Sequence, residues 1–458
     1  LNGVILPNHI PAAEKCSYPV RAGNFVRPLV DGEAAFTRIC EAVEAAQTSV
    51  WVTVAYIHPE FRMPGGRGTV FDVLDRAAAR GVDVRVIFWR ADHAEGEHFH
   101  GHDGDHAFLR AHASKIHIRW DRAQRHYCQH QKSWLIDAGH ASETAFVGGI
   151  NLIPSSVRAA KGHTNRPGRH THDVYCELRG PAATDVRHNF VQRWNEASER
   201  EKPQGFWPEG GSDNLAFPTT VSHATGKSIV QIQRTIRAGH HVDGAATPGG
   251  VTFDIAAGES SVFEQYAKAV DAARDAIYIE DQYIASPQIV EHLHGALARG
   301  VDVIFLCPAD PEQQIKDSRA NAKAAPFYER VAALGAYPNF LLAGIAAHQA
   351  DGSETVVYVH DKIMLVDDLW ATIGSCNIAT QSFFNDAEMN AAIWDEDVVR
   401  ALRIELLAEH LGIDTGRMEM RDALRLYREA ARANAQARHH GEAMTGLAFA
   451  LDPASYGR

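Results

Sequence analysis

Two short stretches of this chain carry residues able to do chemistry on a phosphate. His360, Lys362 and Asp367 stand at His-x-Lys-x-x-x-x-Asp spacing and are followed by Gly374-Ser375-Cys376-Asn377. His130, Lys132 and Asp137 repeat the spacing and are followed by Gly148-Gly149-Ile150-Asn151. A neutral imidazole can attack phosphorus. A lysine, with the amides of Asn151 and Asn377, can hold the non-bridging oxygens as charge develops on them. In a strand, residues i and i+2 share a face, so each histidine is expected to project beside its lysine. Asp137 and Asp367 then fall on the opposite pleat and are expected to be structural.

One copy can hold a phosphate, and two copies can split a diester. One histidine attacks and becomes a phosphohistidine. The other protonates the leaving alcohol, then takes a proton from the incoming water or alcohol. A carboxylate on the second ring nitrogen keeps such an imidazole oriented. Candidates follow each motif: Asp173 in His172-Asp173-Val174, and Glu388 in Asp386-Ala387-Glu388-Met389, with Asp386 the runner-up. Glu388 is read as the orienter of His360. Two lysines and two asparagines supply the charge stabilisation, so no metal or cofactor is required. Gln282 and Tyr283 precede the second site and are read as substrate-binding, although core packing explains the tyrosine equally well. A lone His-x-Lys motif is ordinary on an edge strand; the duplication carries the reading.

The elements that must position these residues also come in pairs. Ala42-Val43-Glu44-Ala45-Ala46 resembles Ala269-Val270-Asp271-Ala272-Ala273, and Arg80-Gly81-Val82-Asp83-Val84 recurs as Arg299-Gly300-Val301-Asp302-Val303. With the His-x-Lys motifs, three matches in one order at similar separations mark a tandem duplication. Each half reads as helix (33–47; 261–275), strand (49–57; 276–284), a helix ending at Gly81 or Gly300, an apolar strand, and then the motif strand. The expected class is α/β: two similar halves, each a mixed sheet flanked by helices, packed about a pseudo-twofold axis. The halves are placed at 1–200 and 227–413, with a Pro/Gly-rich linker at 201–226. Residues 414–458 are expected to form a C-terminal helix and a loosely packed tail. Inserts at 91–107 and 152–171 are expected to form loops at the mouth of a site.

Composition fits a soluble globular protein, with 45% hydrophobic and 22% charged residues. No run approaches the roughly 20 apolar residues of a membrane span. The first residues, from Leu1 to Pro7, show no signal-peptide pattern. A net charge of −12 argues against broad nucleic-acid binding. The six cysteines form no C-x-x-C pair and are expected to be mostly free thiols, with Cys128 and Cys376 buried beside the motifs. His98, His100, His102 and His106, with Asp103 and Asp105, read as a polar loop rather than a metal site, and Phe206-Trp207 as a linker anchor.

The duplicated motif resembles the signature of the phospholipase D superfamily. Tyr358-Val359-His360, Lys362-Ile363-Met364, Val366-Asp367-Asp368 and the strand Ile277-Tyr278-Ile279-Glu280-Asp281-Gln282-Tyr283 are similar to phospholipases D proper. So are His172-Asp173-Val174, Arg193-Trp194-Asn195 and Glu409-His410-Leu411-Gly412. Where these proteins carry a polar pattern with an arginine after the second asparagine, this chain has Ile378-Ala379-Thr380-Gln381-Ser382. The resemblance implies two α/β halves about one interfacial site. It also implies a phosphohistidine route, with His130 as nucleophile and His360 as acid/base. The expected activity is hydrolysis of glycerophospholipids to phosphatidic acid and a headgroup alcohol, with transfer to other alcohols. The alternative is a phosphatidylserine or cardiolipin synthase type of phosphatidyltransferase, or a nuclease. The missing membrane segment is weighed against a cardiolipin synthase, and the net charge against a nuclease. The partners expected are a phospholipid at a membrane or micelle surface and a small alcohol, with no nucleic acid. A monomer is expected, soluble and peripheral to membranes, with cytoplasmic and secreted placements both open.

Overall fold

The computed structural model describes residues 4–91, 103–112, 115–157, 163, 168–198, 213–349 and 353–458. His98, His100, His102 and Phe206-Trp207 lie outside the described residues, as do the side chains of Asp103 and His106.

The principal strands run β1 (Arg21–Val30), β2 (Ser49–Val54), β3 (Asp83–Arg90), β4 (His117–Arg122), β5 (Ser133–Ile136), β6 (Thr144–Gly148), β7 (His170–His172) and β8 (Val174–Arg179). The second half supplies β9 (Ser228–Ile236), β10 (Ala276–Asp281), β11 (Asp302–Leu306), β12 (Phe340–His348), β13 (Glu354–Val359), β14 (Lys362–Val366), β15 (Trp370–Gly374) and β16 (Glu388–Trp394), and β17 (Ala448–Leu451) comes last. The first half is ordered β4-β3-β2-β5-β6-β8-β1. The second is ordered β12-β11-β10-β14-β15-β16-β9, the same path through equivalent strands. In each, the outer three strands run parallel and the remainder antiparallel. β1 and β9 pair antiparallel and join the two sheets, with Arg21 opposite Val230. The duplication read in the sequence is thus a duplication of sheet topology.

Burial explains the local choices. β2, β10, β11 and β14 are buried along their whole length, which is why they read as continuous apolar runs rather than alternating ones. The helix Gly32–Ala45 covers the first sheet through Phe36, Ile39 and Val43, and Ser261–Ala272 covers the second through Val262, Tyr266 and Val270. The helix Val70–Ala79 starts on a capping box between Thr69 and Asp72.

Two boundaries expected from the sequence are corrected. The stretch before β1 packs largely on the second half, with Tyr18 reaching His188 of the first at 3.1 Å. Ile10 and Ala12 join its core, Trp394 Nε1 donates to Ile10 O at 2.8 Å, and Ala13 N donates to Gln265 Oε1 at 2.8 Å. The tail is not loose either. β17 pairs antiparallel with β12, and the buried Tyr456 donates its hydroxyl to Pro308 O at 3.0 Å. Such long-range pairing leaves no local signal in a short apolar segment.

Candidate active site

The chain changes direction at each motif. His360 and Asp361 sit between β13 and β14, and His130 to Lys132 lie just ahead of β5. The histidines therefore stand before their strands rather than within them, which corrects the regular-strand reading. Each lysine folds back on its own motif: Lys132 Nζ donates to His130 O at 2.9 Å, and Lys362 Nζ donates to His360 O. Lys362 Nζ also reaches Gln282 Oε1 at 3.3 Å.

The two histidines are oriented across the interface. His130 Nδ1 lies 3.0 and 3.1 Å from the two carboxylate oxygens of Glu388, in the second half, and 3.1 Å from Ser375 O. His360 Nδ1 lies 2.6 Å from Asp173 Oδ2, in the first half. The pairing of Glu388 with His360 is therefore corrected: each carboxylate serves the histidine of the other half. Backbone bridges impose this. Gln129 pairs parallel with Ala387, and Val359 pairs parallel with His172. The next residue on each chain brings His130 to Glu388 and His360 to Asp173. Asp386, the runner-up, instead accepts from Cys128 N at 2.8 Å and helps hold that bridge.

Both imidazoles line one cavity of about 510 Å³ with Asn151, Asn377, Gln282 and Tyr283. Ile153, Ser155, Arg169 and Thr171 line it too, so the described part of the insert 152–171 reaches the site. Nδ1 of each ring is engaged, which leaves Nε2 for chemistry. The Oδ1 atoms of Asn151 and Asn377 are buried without a hydrogen-bond partner among the described residues. Burial, followed by the ammonium charges of Lys132 and Lys362, holds the His130 imidazole well below its ordinary pKa. Burial and the same two lysines do so for His360. A neutral ring is the nucleophilic form, while a ring with its hydrogen on Nε2 can act as an acid. Burial raises Glu388 to about 8 and Asp173 to about 7, against the pull of nearby lysines. Burial also lowers Lys132 to about 8.

Asp137 and Asp367 lie away from the cavity. Asp137 Oδ1 accepts from the backbone of Gln47 and Thr48, both at 2.8 Å, and Asp367 accepts from Arg274, Asp275 and Ala276 at 2.8–2.9 Å. Each ties the turn that feeds β2 or β10. Both adopt left-handed backbone, at φ of 55° and 58°, a conformation that Asp tolerates better than most residues.

Sequence reasoning missed part of the lining. Tyr283 and Tyr358 donate to the two carboxylate oxygens of Glu312, each at 2.7 Å, and Gln282 Nε2 donates to Tyr358 at 2.7 Å. The Arg169 guanidinium lies 3.9 Å from the Tyr358 ring centroid. Tyr358 adjoins the motif and could have been found by position. Glu312 follows a Pro-containing loop and carries no local signal. The six cysteines are all free and buried.

Two His-Lys-Asn sets from matching halves, each histidine held by the other half's carboxylate beside one cavity, make a duplicated site suited to phosphate chemistry. A family described as "Cardiolipin synthase, PLD-like domain" matches residues 39–167 and 266–408, and one described as "Phospholipase D" matches 155–301. The chain belongs to the phospholipase D superfamily. It is 23% identical over 390 residues to Cardiolipin synthase 1 of Staphylococcus epidermidis, covering 83% of this chain and 66% of that protein. It is 26% identical to Cardiolipin synthase A of Pseudomonas putida, covering 83% and 67%. Phospholipase D A of Dictyostelium discoideum is 24% identical over 86% of this chain but only 36% of its own length. The fold is shared with phosphatidylserine synthase of Haemophilus influenzae, at a TM-score of 0.54 and 13% identity over 89% and 87% of the two chains. No helix among the described residues is long and apolar enough to cross a membrane.

Proposed function

We propose that the chain is a phosphatidyltransferase of the cardiolipin synthase type, moving a phosphatidyl group from a glycerophospholipid to an alcohol through a phosphohistidine. The observation that carries this is the crossed pairing of His130 with Glu388 and His360 with Asp173 over one cavity. His130 Nε2 attacks phosphorus and the bond to the leaving alcohol breaks. His360 delivers a proton from Nε2 to that alcohol. The acceptor alcohol then loses its proton to His360, its oxygen attacks phosphorus, and His130 is released. Lys132, Lys362, Asn151 and Asn377 hold the non-bridging oxygens, while Gln282 and Tyr283 shape the wall beside His360. The route uses protein groups alone and meets its lipid at a membrane or micelle surface.

The S. epidermidis and P. putida relatives named above are cardiolipin synthases, which favours transfer over hydrolysis as the main reading. The chain spans about two thirds of the length of those relatives, so a missing membrane segment does not weigh against that type. Hydrolysis is the second reading: water replaces the alcohol in the second step, and the Dictyostelium relative favours it.

Mixed micelles of phosphatidylglycerol, phosphatidylcholine or phosphatidylethanolamine, each with and without a competing alcohol, test the proposal. Transfer predicts acceptor-linked lipid as the main product. Phosphatidic acid alone under every acceptor condition would establish the hydrolase. Oligonucleotide cleavage with no lipid turnover sinks both readings. Labelled phosphoenzyme should accumulate in His360→Asn and be absent from His130→Asn; the opposite outcome exchanges the two roles.

A further inference from the structure

Behind the acid/base side of the site lies a buried group that the phosphoryl chemistry does not use. Asp31 follows β1, His172 ends β7, and Glu409 and His410 belong to the helix Glu396–Leu411. His163 Nε2 lies 3.6 Å from Asp31 Oδ2, 3.4 Å from Glu409 Oε1 and 3.4 Å from His172 Nδ1. His172 Nδ1 lies 2.9 Å from Asp31 Oδ1. The side chains of both histidines are wholly buried, and that of Glu409 is 2% exposed.

We propose that Asp31, His163, His172 and Glu409 form a binding site for a divalent transition-metal cation of the zinc class. A tetrahedral ion with bonds of ~2.0–2.1 Å sets its ligand atoms about 3.3–3.4 Å apart. The three spacings around His163 Nε2 are close to that edge, and the fourth contact is a hydrogen bond that metal entry replaces. Two imidazole nitrogens and two carboxylate oxygens make a donor set suited to zinc or cobalt and poorly suited to calcium or magnesium.

Three further observations point to a cation. First, the carboxylates of Asp31, Glu280 and Asp361 are all buried, and their ion-pair partners among the described residues are histidines. Both oxygens of Asp361 lack a hydrogen-bond partner there. Buried carboxylates at this density need a counter-charge or a retained proton. Second, the far nitrogen of His172, Nε2, faces Glu280 Oε2 at 3.2 Å, and Tyr278 holds the other oxygen of Glu280 at 2.6 Å. A carboxylate on the second nitrogen of a ligating histidine is how metal sites fix the ring. Third, His163 adopts left-handed backbone at φ 54°, a strain that persists where the surroundings over-determine it.

The site lies one residue from the chemistry. His172 O accepts from His360 N at 2.8 Å, and Asp31 N donates to Asp173 O at 2.8 Å. An ion here would clamp the strand that presents Asp173 to His360 without touching the phosphate cavity. The proposal does not depend on which phosphodiester the enzyme uses.

The test is a titration of the full chain, purified without chelator and then stripped, with Co²⁺, followed by Zn²⁺ competition and elemental analysis. One Co²⁺ per chain is expected, with the intense visible absorption of a tetrahedral ion and displacement by Zn²⁺. His163→Ala and Glu409→Gln should each weaken binding by about 100-fold or more, beyond the usual loss from a supporting residue. Circular dichroism checks that each variant folds, and either folded variant suffices. A variant replacing His98, His100 and His102 together by alanine should bind as the parent does. No stoichiometric binding overturns the proposal and leaves a proton on His172 as the counter-charge. Binding unchanged in both single variants, or lost only in the triple variant, overturns it as well.

Discussion

The two half-sites share a plan and differ in what stands behind it. On the first side, one N–H of His130 is shared between both oxygens of Glu388, which also accepts from Ser375 Oγ at 2.5 Å. On the second, His360 makes a single shorter contact of 2.6 Å with Asp173, whose other oxygen accepts from Val174 N at 2.8 Å. The residue between histidine and lysine sharpens the contrast. Gln131 is fully engaged: it donates to Glu388 O at 3.1 Å and accepts from Asn189 at 2.8 Å and from Arg193 at 3.3 Å. Its counterpart Asp361 is wholly buried with neither oxygen hydrogen-bonded among the described residues. The first half-site is backed by a satisfied amide and guanidinium network, which favours a fixed geometry. The second is backed by a cluster of buried carboxylates and histidines, the same cluster that forms the proposed cation site.

The largest effect expected from breaking this arrangement is catalytic. Glu388→Gln and Asp173→Asn each leave the histidine in place but remove the acceptor that sets its tautomer, so kcat should fall about 10³- to 10⁴-fold in either. If the carboxylates act across the interface as the geometry requires, the variants split by step. Glu388→Gln slows chiefly the formation of the phosphoenzyme, while Asp173→Asn, acting through a histidine used in both steps, slows its breakdown as well. Rapid-quench measurement of the labelled intermediate separates them. The reverse split would restore the same-half pairing read from the sequence.

That reading failed for a definable reason. The duplicated His-x-Lys motif, its asparagines and the carboxylates after it are local patterns, and the matched spacing of Ala42 with Ala269 and Arg80 with Arg299 disclosed the repeat. The α/β class followed, because buried strands such as β2 and β10 read as apolar runs between amphipathic helices. Which carboxylate meets which histidine depends on how the halves dock. That contact rests on one parallel bridge at Gln129 and Ala387 and a short parallel pairing at Val359 and His172, too brief to leave a pattern. Glu312 and the residues of the buried His-carboxylate cluster are likewise brought together from distant segments. Asp137 and Asp367 were legible because an acid beyond a strand of fixed length has backbone amides within reach in both copies.

A smaller effect probes the residues between histidine and lysine. Gln131→Leu removes the partner of Asn189 Nδ2 and weakens the hold on Arg193, and should destabilise the fold by about 2–4 kcal/mol, since orphaned buried donors cost about 1–3 kcal/mol each. Burial, with the carboxylates of Glu280, Asp173 and Asp31, pushes Asp361 well above the usual carboxylate range, so Asp361→Asn replaces an acid whose ionised form folding penalises and should be neutral to stabilising by about 1 kcal/mol. Denaturant melts of the two variants should therefore move in opposite directions or differ clearly in size. Equal losses would mean that Asp361 is as well compensated as Gln131.

The smallest effect is a pH dependence of stability that belongs to the first half-site. Glu388 is raised from 4.5 to about 8, chiefly by burial. Between those values the folded chain keeps a proton that the unfolded chain releases. Stability from this group is therefore complete below about pH 4.5 and is lost as pH rises through 8. Lys132 acts in the opposite sense above that range. Burial lowers it from 10.5 to about 8, so the folded chain sheds its proton first and stability is regained as pH rises from 8 to 10.5. Relative to wild type, Glu388→Gln should melt with a flatter profile on the acid side of pH 8, without the loss of stability that wild type shows as pH rises toward that value. Lys132→Met should flatten only the alkaline limb. Thermal melts across pH 5 to 10 would read both limbs in one series, and parallel profiles for wild type and Glu388→Gln would show that burial of Glu388 does not hold its proton in the folded chain.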